Sequence, residues 1–77
     1  MPELPVCSGK IVIKVFSAAG WIEKRQKGSH LSMVKPGSYL ILTIPLHKEI
    51  DRGLLRSLIR KSGMEVKEFI SILKTVK

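Results

Sequence analysis

The sequence is poor in acidic residues, and its middle stretch lacks them altogether. Six Asp and Glu stand against fourteen Lys and Arg, so the formal net charge is +8. No acid occurs between Glu23 and Glu49, whereas this stretch contains Lys24, Arg25, Lys27, Lys35 and Lys48. A surface stabilised by ion-pair networks would mix both signs, and the stretch does not. The imbalance favours an anionic partner, with nucleic acid first and an acidic protein second.

Cysteine and long apolar runs are also scarce. The single Cys7 can form neither an internal disulfide nor a Cys-based zinc site, and we interpret it as a small apolar filler. A chain with one cysteine and no internal disulfide fits a reducing cytosol. No apolar run approaches the roughly 18 residues of a membrane-spanning helix, and no basic segment precedes an apolar one at the N-terminus. We therefore expect a soluble cytoplasmic protein with no membrane segment.

The two histidines occur in neither a HExxH motif nor a Cys/His cluster. We therefore expect no metal site and no cofactor. No linker, repeat or low-complexity tract interrupts the chain, so we expect one domain over residues 1–77. The hydrophobic fraction of 44% is normal for a globular fold and excludes intrinsic disorder. A chain this short buries only about 60% of its unfolded surface.

Hydrophobic periodicity predicts the order α-β-β-β-α, followed by a short C-terminal helical extension. The predicted helices are Gly9–Ala19 with Ser8 as N-cap and Gly20 as C-cap, a second from about Asp51 to Gly63, and a third containing Val66, Phe69, Ile70 and Leu73. The predicted strands are Trp21–Lys27, Ser29–Lys35 and Tyr39–Ile44. Short connections predict an antiparallel sheet with helices on one face, an α+β domain.

Strand alternation also predicts which side chains face the core. We expect the inward-facing set to be Leu31, Met33, Leu40, Leu42 and Ile44. His30, Ser32 and Val34 would then lie on the other face, as would Tyr39, Ile41 and Thr43. Trp21 and Tyr39 are the aromatic candidates for stacking on unpaired bases. For Trp21, which follows a helix-ending glycine, we favour a place in the seam between helix and sheet.

The segment RQKGSH, residues 25–30, contains the most chemically suggestive residues. Histidine exchanges protons near neutral pH, and His30 follows Gly28 and Ser29 and lies near Arg25 and Lys27. Acid–base cleavage of a phosphodiester would need such a group beside cations. The alternative is a solvated turn with an incidental histidine, because short motifs match often by chance. Ser29 is a weak candidate nucleophile, since no GxSxG context surrounds it.

A second group of cations surrounds the start of the predicted second helix. Arg52, Arg56 and Arg60 recur every four residues and form a ridge on one helix face. Arginine matches phosphate geometry, and His47 and Lys48 lie near a helix N-terminus, where backbone N–H groups favour anions. The alternative is a solvated face of an amphipathic helix. His47 is also one candidate for the acid that protonates the leaving 5′-oxygen, beside water, a lysine or His30 itself. A cap or anion contact at the second helix is its favoured role.

Four segments in this order and spacing resemble the HicA (YcfA-like) toxin family. They are GW at 20–21, RQKGSH at 25–30, PLHKE at 45–49 and RGLLRSLIRKSG at 52–63, and the resemblance covers about Leu4 to Leu73. Leu31 and Leu54 depart from the family's usual residues, outside the GSH motif itself. The resemblance implies a double-stranded-RNA-binding-domain-like fold, mRNA cleavage by the GSH histidine, which is His30 here, and neutralisation by a HicB-type antitoxin.

The combined hypothesis is a metal-independent endoribonuclease in which His30 is the acid–base group. The predicted RNA-binding residues are Lys24, Arg25, Lys27, Ser29, Lys48, Arg52, Arg56 and Arg60, with Gly28 and His47 in supporting roles. Two alternatives remain open: a non-catalytic RNA-binding module of the same fold, and an interaction protein whose basic face only docks an acidic antitoxin. We favour the enzyme, because a protein that only binds RNA would gain nothing from a histidine at position 30 over another lysine.

Overall fold

The chain forms six elements in the order α-β-β-β-α-α, in a computed structural model that describes residues 4–76. The elements are α1 Gly9–Ala18, β1 Ile22–Lys27, β2 His30–Val34, β3 Ile41–Pro45, α2 Arg52–Lys61 and α3 Val66–Val76. The strands form one antiparallel sheet in the order β1-β2-β3. The predicted α+β fold is confirmed. The single-domain expectation over 1–77 includes residues 1–3 and 77, which lie outside the described part.

The two ends of α1 follow the local sequence signals. The Ile11 N–H donates to the Ser8 hydroxyl, as expected of an N-cap. At the other end Gly20 has a φ of +103°, and the Trp21 N–H donates to the Phe16 carbonyl. This is a Schellman motif, in which the N–H two residues past the cap closes the last turn. Because the Trp21 N–H closes the helix, β1 begins at Ile22 and not at Trp21.

The Trp21 ring completes the same helix end. It is 3% exposed and meets the Phe16 ring edge-on at a centroid distance of 6.4 Å. An apolar contact of this kind commonly accompanies a Schellman motif. The favoured position in the helix–sheet seam is therefore confirmed, and a ring this buried has no face free for an RNA base.

Residues of the sheet alternate between a buried face and an open face. Leu31, Met33, Leu42 and Ile44 are buried, as predicted. Leu40 was predicted to join them, which is wrong, because it is 46% exposed and precedes β3. Its N–H donates to the Ser38 hydroxyl in the β2–β3 loop, so the local turn keeps Leu40 out of the ladder.

All three helices contribute to one core on the buried face of the sheet. Leu55, Leu58 and Ile59 of α2 are buried as predicted. The third helix is not a peripheral extension, because Phe69 is fully buried with its ring 5.7 Å from that of Phe16. Within residues 4–76, none of the helices is both long and apolar enough to cross a membrane.

Candidate active site

A tight hairpin presents His30 on the open face of the sheet. Gly28 and Ser29 are the two loop residues between β1 and β2, and Gly28 has a φ of +60°. A positive φ at the first loop residue alone is typical of a type II′ turn, which glycine favours and which matches the twist of the strands. The turn makes Lys27 and His30 direct cross-strand partners. Gly28 thus supports the site through backbone geometry.

The register surrounds His30 with cations on its β1 side. Side chains of directly paired residues lie on one face with Cβ atoms about 4.5–5.5 Å apart, and diagonal neighbours are about 7–8 Å apart. Lys27 is the direct partner of His30, and Arg25 pairs with Ser32 and is therefore a diagonal neighbour. All of these side chains except the half-buried Ser32 are exposed. The structure thus brings Arg25, Lys27 and His30 onto one face.

On its other side His30 borders an open cleft of about 490 Å³. The cleft is lined by His30, Thr43, Pro45, His47, Glu49, Ile50, Asp51 and Leu54. Both histidines of the chain therefore line one cavity. The sequence could not show this, because it does not give the distance in space between two residues that are far apart in the chain. Thr43 lines the cleft because the alternation of β3 places its side chain on the open face of the sheet. Leu54, a departure from the family pattern, also lines it and is 41% exposed.

Two backbone hydrogen bonds place the segment that carries His47. The Leu46 N–H donates to the Ser29 carbonyl at 2.7 Å, which continues the β2–β3 pairing beyond Pro45. The His47 carbonyl accepts from the Gly9 N–H at 2.9 Å, which fixes the segment to the start of α1. The position of His47 beside His30 therefore depends on backbone contacts.

The N-terminus of α2 is not an open anion site. The Asp51 carboxylate caps it, accepting from the Leu54 N–H at 3.1 Å. A carboxylate here occupies a place that a phosphate oxygen would otherwise take. The Asp51 cap uses one of the N–H groups on which the expected anion contact depends. Anion contacts by His47, Lys48 and Arg52 stay a prediction. Lys48 itself is exposed and is not among the residues that line the cleft.

The arginine ridge lies on a different flank of α2 from the cleft. Arg56 and Arg60 line a separate groove of about 190 Å³ beside Met64 and Val66. Leu54, which lines the His30 cleft, precedes Arg56 by two residues and so lies roughly 160° around the helix from it. The regular spacing of the ridge was visible in the sequence, but the direction that it faces was not.

The far end of the open face is apolar and bordered by lysines. Ile22, Tyr39 and Ile41 are exposed by 53%, 104% and 44%, and with Leu40 they surround a groove that Lys24 and Lys35 also line. Lys24 is left without a partner by an irregularity between Glu23 and Arg25 in the β1–β2 pairing. We call Ile22, Tyr39, Leu40 and Ile41 the apolar end of the open face.

Fold and site together define a small basic α+β domain with a histidine among cations on an uncovered sheet face. Residues 9–64 match the family model described as the HicA toxin of bacterial toxin–antitoxin systems, and the chain belongs to this family. It is also similar to a chain in a solved toxin–antitoxin complex from Streptococcus pneumoniae. The two are 36% identical with a TM-score of 0.65, over 74% of this chain and 97% of that one. No curated protein matches the chain.

Proposed function

We propose that the chain is the toxin of a toxin–antitoxin pair and acts in the cytoplasm as a metal-independent endoribonuclease that cleaves mRNA. The observation that carries the proposal is the exposed His30 on the open face, with Lys27 directly across and Arg25 on the diagonal. Within residues 4–76, no three His, Cys, Asp or Glu side chains are grouped so that they could hold a metal ion. The proposed chemistry uses only side chains of this face.

In this mechanism His30 acts as the general base. Its neutral imidazole takes the proton of a ribose 2′-hydroxyl, and the 2′-oxygen attacks the adjacent phosphorus. Negative charge that builds on the phosphoryl oxygens is stabilised by Lys27 and Arg25, whose positions on the same face are set by the register. The exposed face leaves room for a single-stranded segment of RNA.

Co-expression separates this proposal from the two alternatives. An endoribonuclease arrests growth and depletes mRNA, and the antitoxin restores both. A non-catalytic RNA-binding module would arrest growth with intact mRNA. An interaction protein alone would leave both growth and mRNA unchanged. Intact mRNA in arrested cells would therefore contradict cleavage.

The salt dependence of RNA binding identifies the cations that contact phosphate. We expect the double variant Arg25→Gln/Lys27→Gln to reduce the slope of log affinity against log salt by roughly two units, since each phosphate contact contributes about one. Binding is measured in a His30→Ala background, so that the RNA is not consumed. An unchanged slope would contradict contacts on the open face.

The matched control is Arg56→Gln/Arg60→Gln, which removes the same charge from the groove on the α3 side. If RNA stays on the open face, this pair keeps the wild-type slope. A decrease equal to that of the first pair would show that RNA crosses α2. In that case the arginine ridge would contact RNA, as predicted, and the RNA-binding surface would extend beyond the open face.

We further propose that a HicB-type antitoxin neutralises the chain by covering the open face and burying His30. The apolar end of this face has the composition of an interface core, with a tyrosine and aliphatic side chains inside a rim formed by Lys24 and Lys35. An acidic partner complements that rim. A second copy of the chain would place like charges against each other, which disfavours self-association here.

Hydrogen exchange on the free and bound chain tests this geometry. We expect the antitoxin to slow exchange in β2 and in the loop before β3, because both border the open face. Association should be fast and salt-sensitive, with added salt mainly lowering the on-rate. Protection confined to helix residues near Lys10, Lys14 and Lys74 would contradict inhibition by covering His30.

A pair of matched variants tests the apolar end itself. Ile22 and Val6 are exposed to nearly the same extent, 53% and 52%, but Val6 precedes α1 and lies outside the apolar end. We expect Ile22→Ser to raise the dissociation rate of the antitoxin and Val6→Ser to leave it unchanged. Equal effects of the two substitutions would show that the apolar end is not a specific contact.

A further inference from the structure

We infer that His47 is the second catalytic residue of the site and donates the proton to the leaving 5′-oxygen. The inference rests on the proposed endoribonuclease function and assigns the step that His30 alone leaves open. His47 shares the cleft with His30, although the two are far apart in the chain.

The register places the two histidines as neighbours. Pro45 is the direct cross-strand partner of His30, and the Leu46 N–H to Ser29 carbonyl bond continues the pairing by one residue. His47, two residues beyond Pro45, therefore takes the diagonal position relative to His30. Diagonal neighbours on a sheet face are about 7–8 Å apart. With the two residues at this separation, both imidazole side chains can contact one phosphate group in the cleft.

The reaction needs an acid and a base in this arrangement. In an in-line displacement the attacking and leaving oxygens lie on opposite sides of the phosphorus. The 2′-hydroxyl proton passes to neutral His30 while the bond between the 2′-oxygen and phosphorus forms. The bond to the 5′-oxygen breaks, and its electron pair takes a proton from cationic His47. The products are a 2′,3′-cyclic phosphate, a free 5′-hydroxyl, protonated His30 and neutral His47, so charge and protons balance.

Other titratable groups line the cleft or lie beside His30. Asp51 is engaged as the cap of α2, with its carboxylate oxygen accepting from the Leu54 N–H. Lys27 lies on the β1 side of His30, away from the cleft, and suits the phosphoryl oxygens. Glu49 lines the cleft and is the main rival. An imidazolium is the better donor near neutral pH, because it gives up its proton there.

A substrate with sulfur in place of the bridging 5′-oxygen tests the assignment. A thiol has a pKa of about 8.5, so a thiolate leaves without a proton donor. On ordinary RNA, His47→Ala should be at least about 100-fold slower than the wild type, within the range for a general acid. On the sulfur substrate the same variant should approach the wild-type rate. His30→Ala should remain slow on both substrates, because the 2′-hydroxyl still needs a base.

The alternatives give different results in the same experiment. If Glu49→Gln, and not His47→Ala, is slow on ordinary RNA and rescued by sulfur, Glu49 is the acid and the inference is overturned. If His47→Ala stays slow on the sulfur substrate, or cleaves ordinary RNA at the wild-type rate, His47 does not donate the proton. Wild-type protein that cleaves neither substrate would instead overturn the proposed function.

A pH profile and a second variant separate catalysis from a structural role. Wild-type cleavage should show a bell-shaped pH dependence, with the acid side reporting the base and the alkaline side reporting the acid. His47→Ala should lose the fall on the alkaline side. His47→Gln, which preserves a polar side chain, should show the same loss. A merely structural role would lower the rate at every pH and leave the bell shape intact.

Discussion

His30→Ala is expected to slow RNA cleavage by about 10²–10⁴-fold, the usual contribution of a general acid–base group. The fold should be unaffected, because the side chain is exposed and does not pack in the core. RNA affinity should also change little, since Lys27 and Arg25 keep their positions on the open face. Single-turnover cleavage of a short RNA, its dependence on protein concentration and thermal unfolding of the same samples measure the cleavage rate, the RNA affinity and the stability.

Lys14→Ala is the control, because Lys14 is exposed on α1 near the helix side of the sheet. It removes a long polar side chain without touching the open face and should keep the wild-type cleavage rate. A His30→Ala protein that cleaves as fast as the wild type would remove His30 from the mechanism. A His30→Ala protein that unfolds would mean that His30 acts in stability.

Gly9→Ala is expected to destabilise the protein by about 1–3 kcal/mol or more, the cost of forcing extra volume into a packed site. A Cβ atom on Gly9 would lie 2.2 Å from the Pro45 carbonyl oxygen. The atoms that this Cβ would meet, in Pro45 and Leu46, all belong to the backbone. The start of α1 and the segment from Pro45 to His47 must therefore move apart. That movement also displaces His47 and should lower the cleavage rate. Urea unfolding and a cleavage assay well below the melting temperature measure the two effects.

Gly53→Ala is the matched control, since Gly53 is also in a helix and also lacks room for a Cβ atom. The nearest atom there is the Asp51 Oδ2 at 2.9 Å, the end of a side chain that can rotate away. Alanine gains up to about 1 kcal/mol of helix propensity over glycine, which offsets a weakened cap. We therefore expect a change within about 1 kcal/mol. A Gly9→Ala protein as stable as this control would contradict the backbone contact.

The parts of the fold that depend on local periodicity could be predicted from the sequence. Ser8 and Gly20 signal the ends of α1 through capping chemistry, and the alternation of Leu31 and Met33 correctly assigns the two faces of β2. The errors occur where hydrogen bonds decide the boundary. The Trp21 N–H closes a helix, and the Leu40 N–H is held by Ser38, so neither residue joins its strand.

The candidate site could be predicted only where its residues lie close together in the chain. His30, Lys27 and Arg25 belong to one hairpin, so the turn and the strand period bring them together. His47 shares a cleft with His30 because of a pairing between distant segments, and nothing in its neighbouring residues indicates that register. The arginine ridge shows the converse case. A spacing of four residues predicts one helix face, but the packing of Leu55, Leu58 and Ile59 decides where that face points.

The separation between the exposed face and the core has a genetic consequence. His30, Lys27 and Arg25 are all exposed, and the sixteen buried core residues found within residues 4–76 lie elsewhere. An allele that loses His30 would thus still produce a folded protein with an intact docking face. Under the proposed function such a protein occupies antitoxin without cleaving RNA. In a cell that also carries an intact copy, the inactive allele would act as a decoy that liberates the functional toxin.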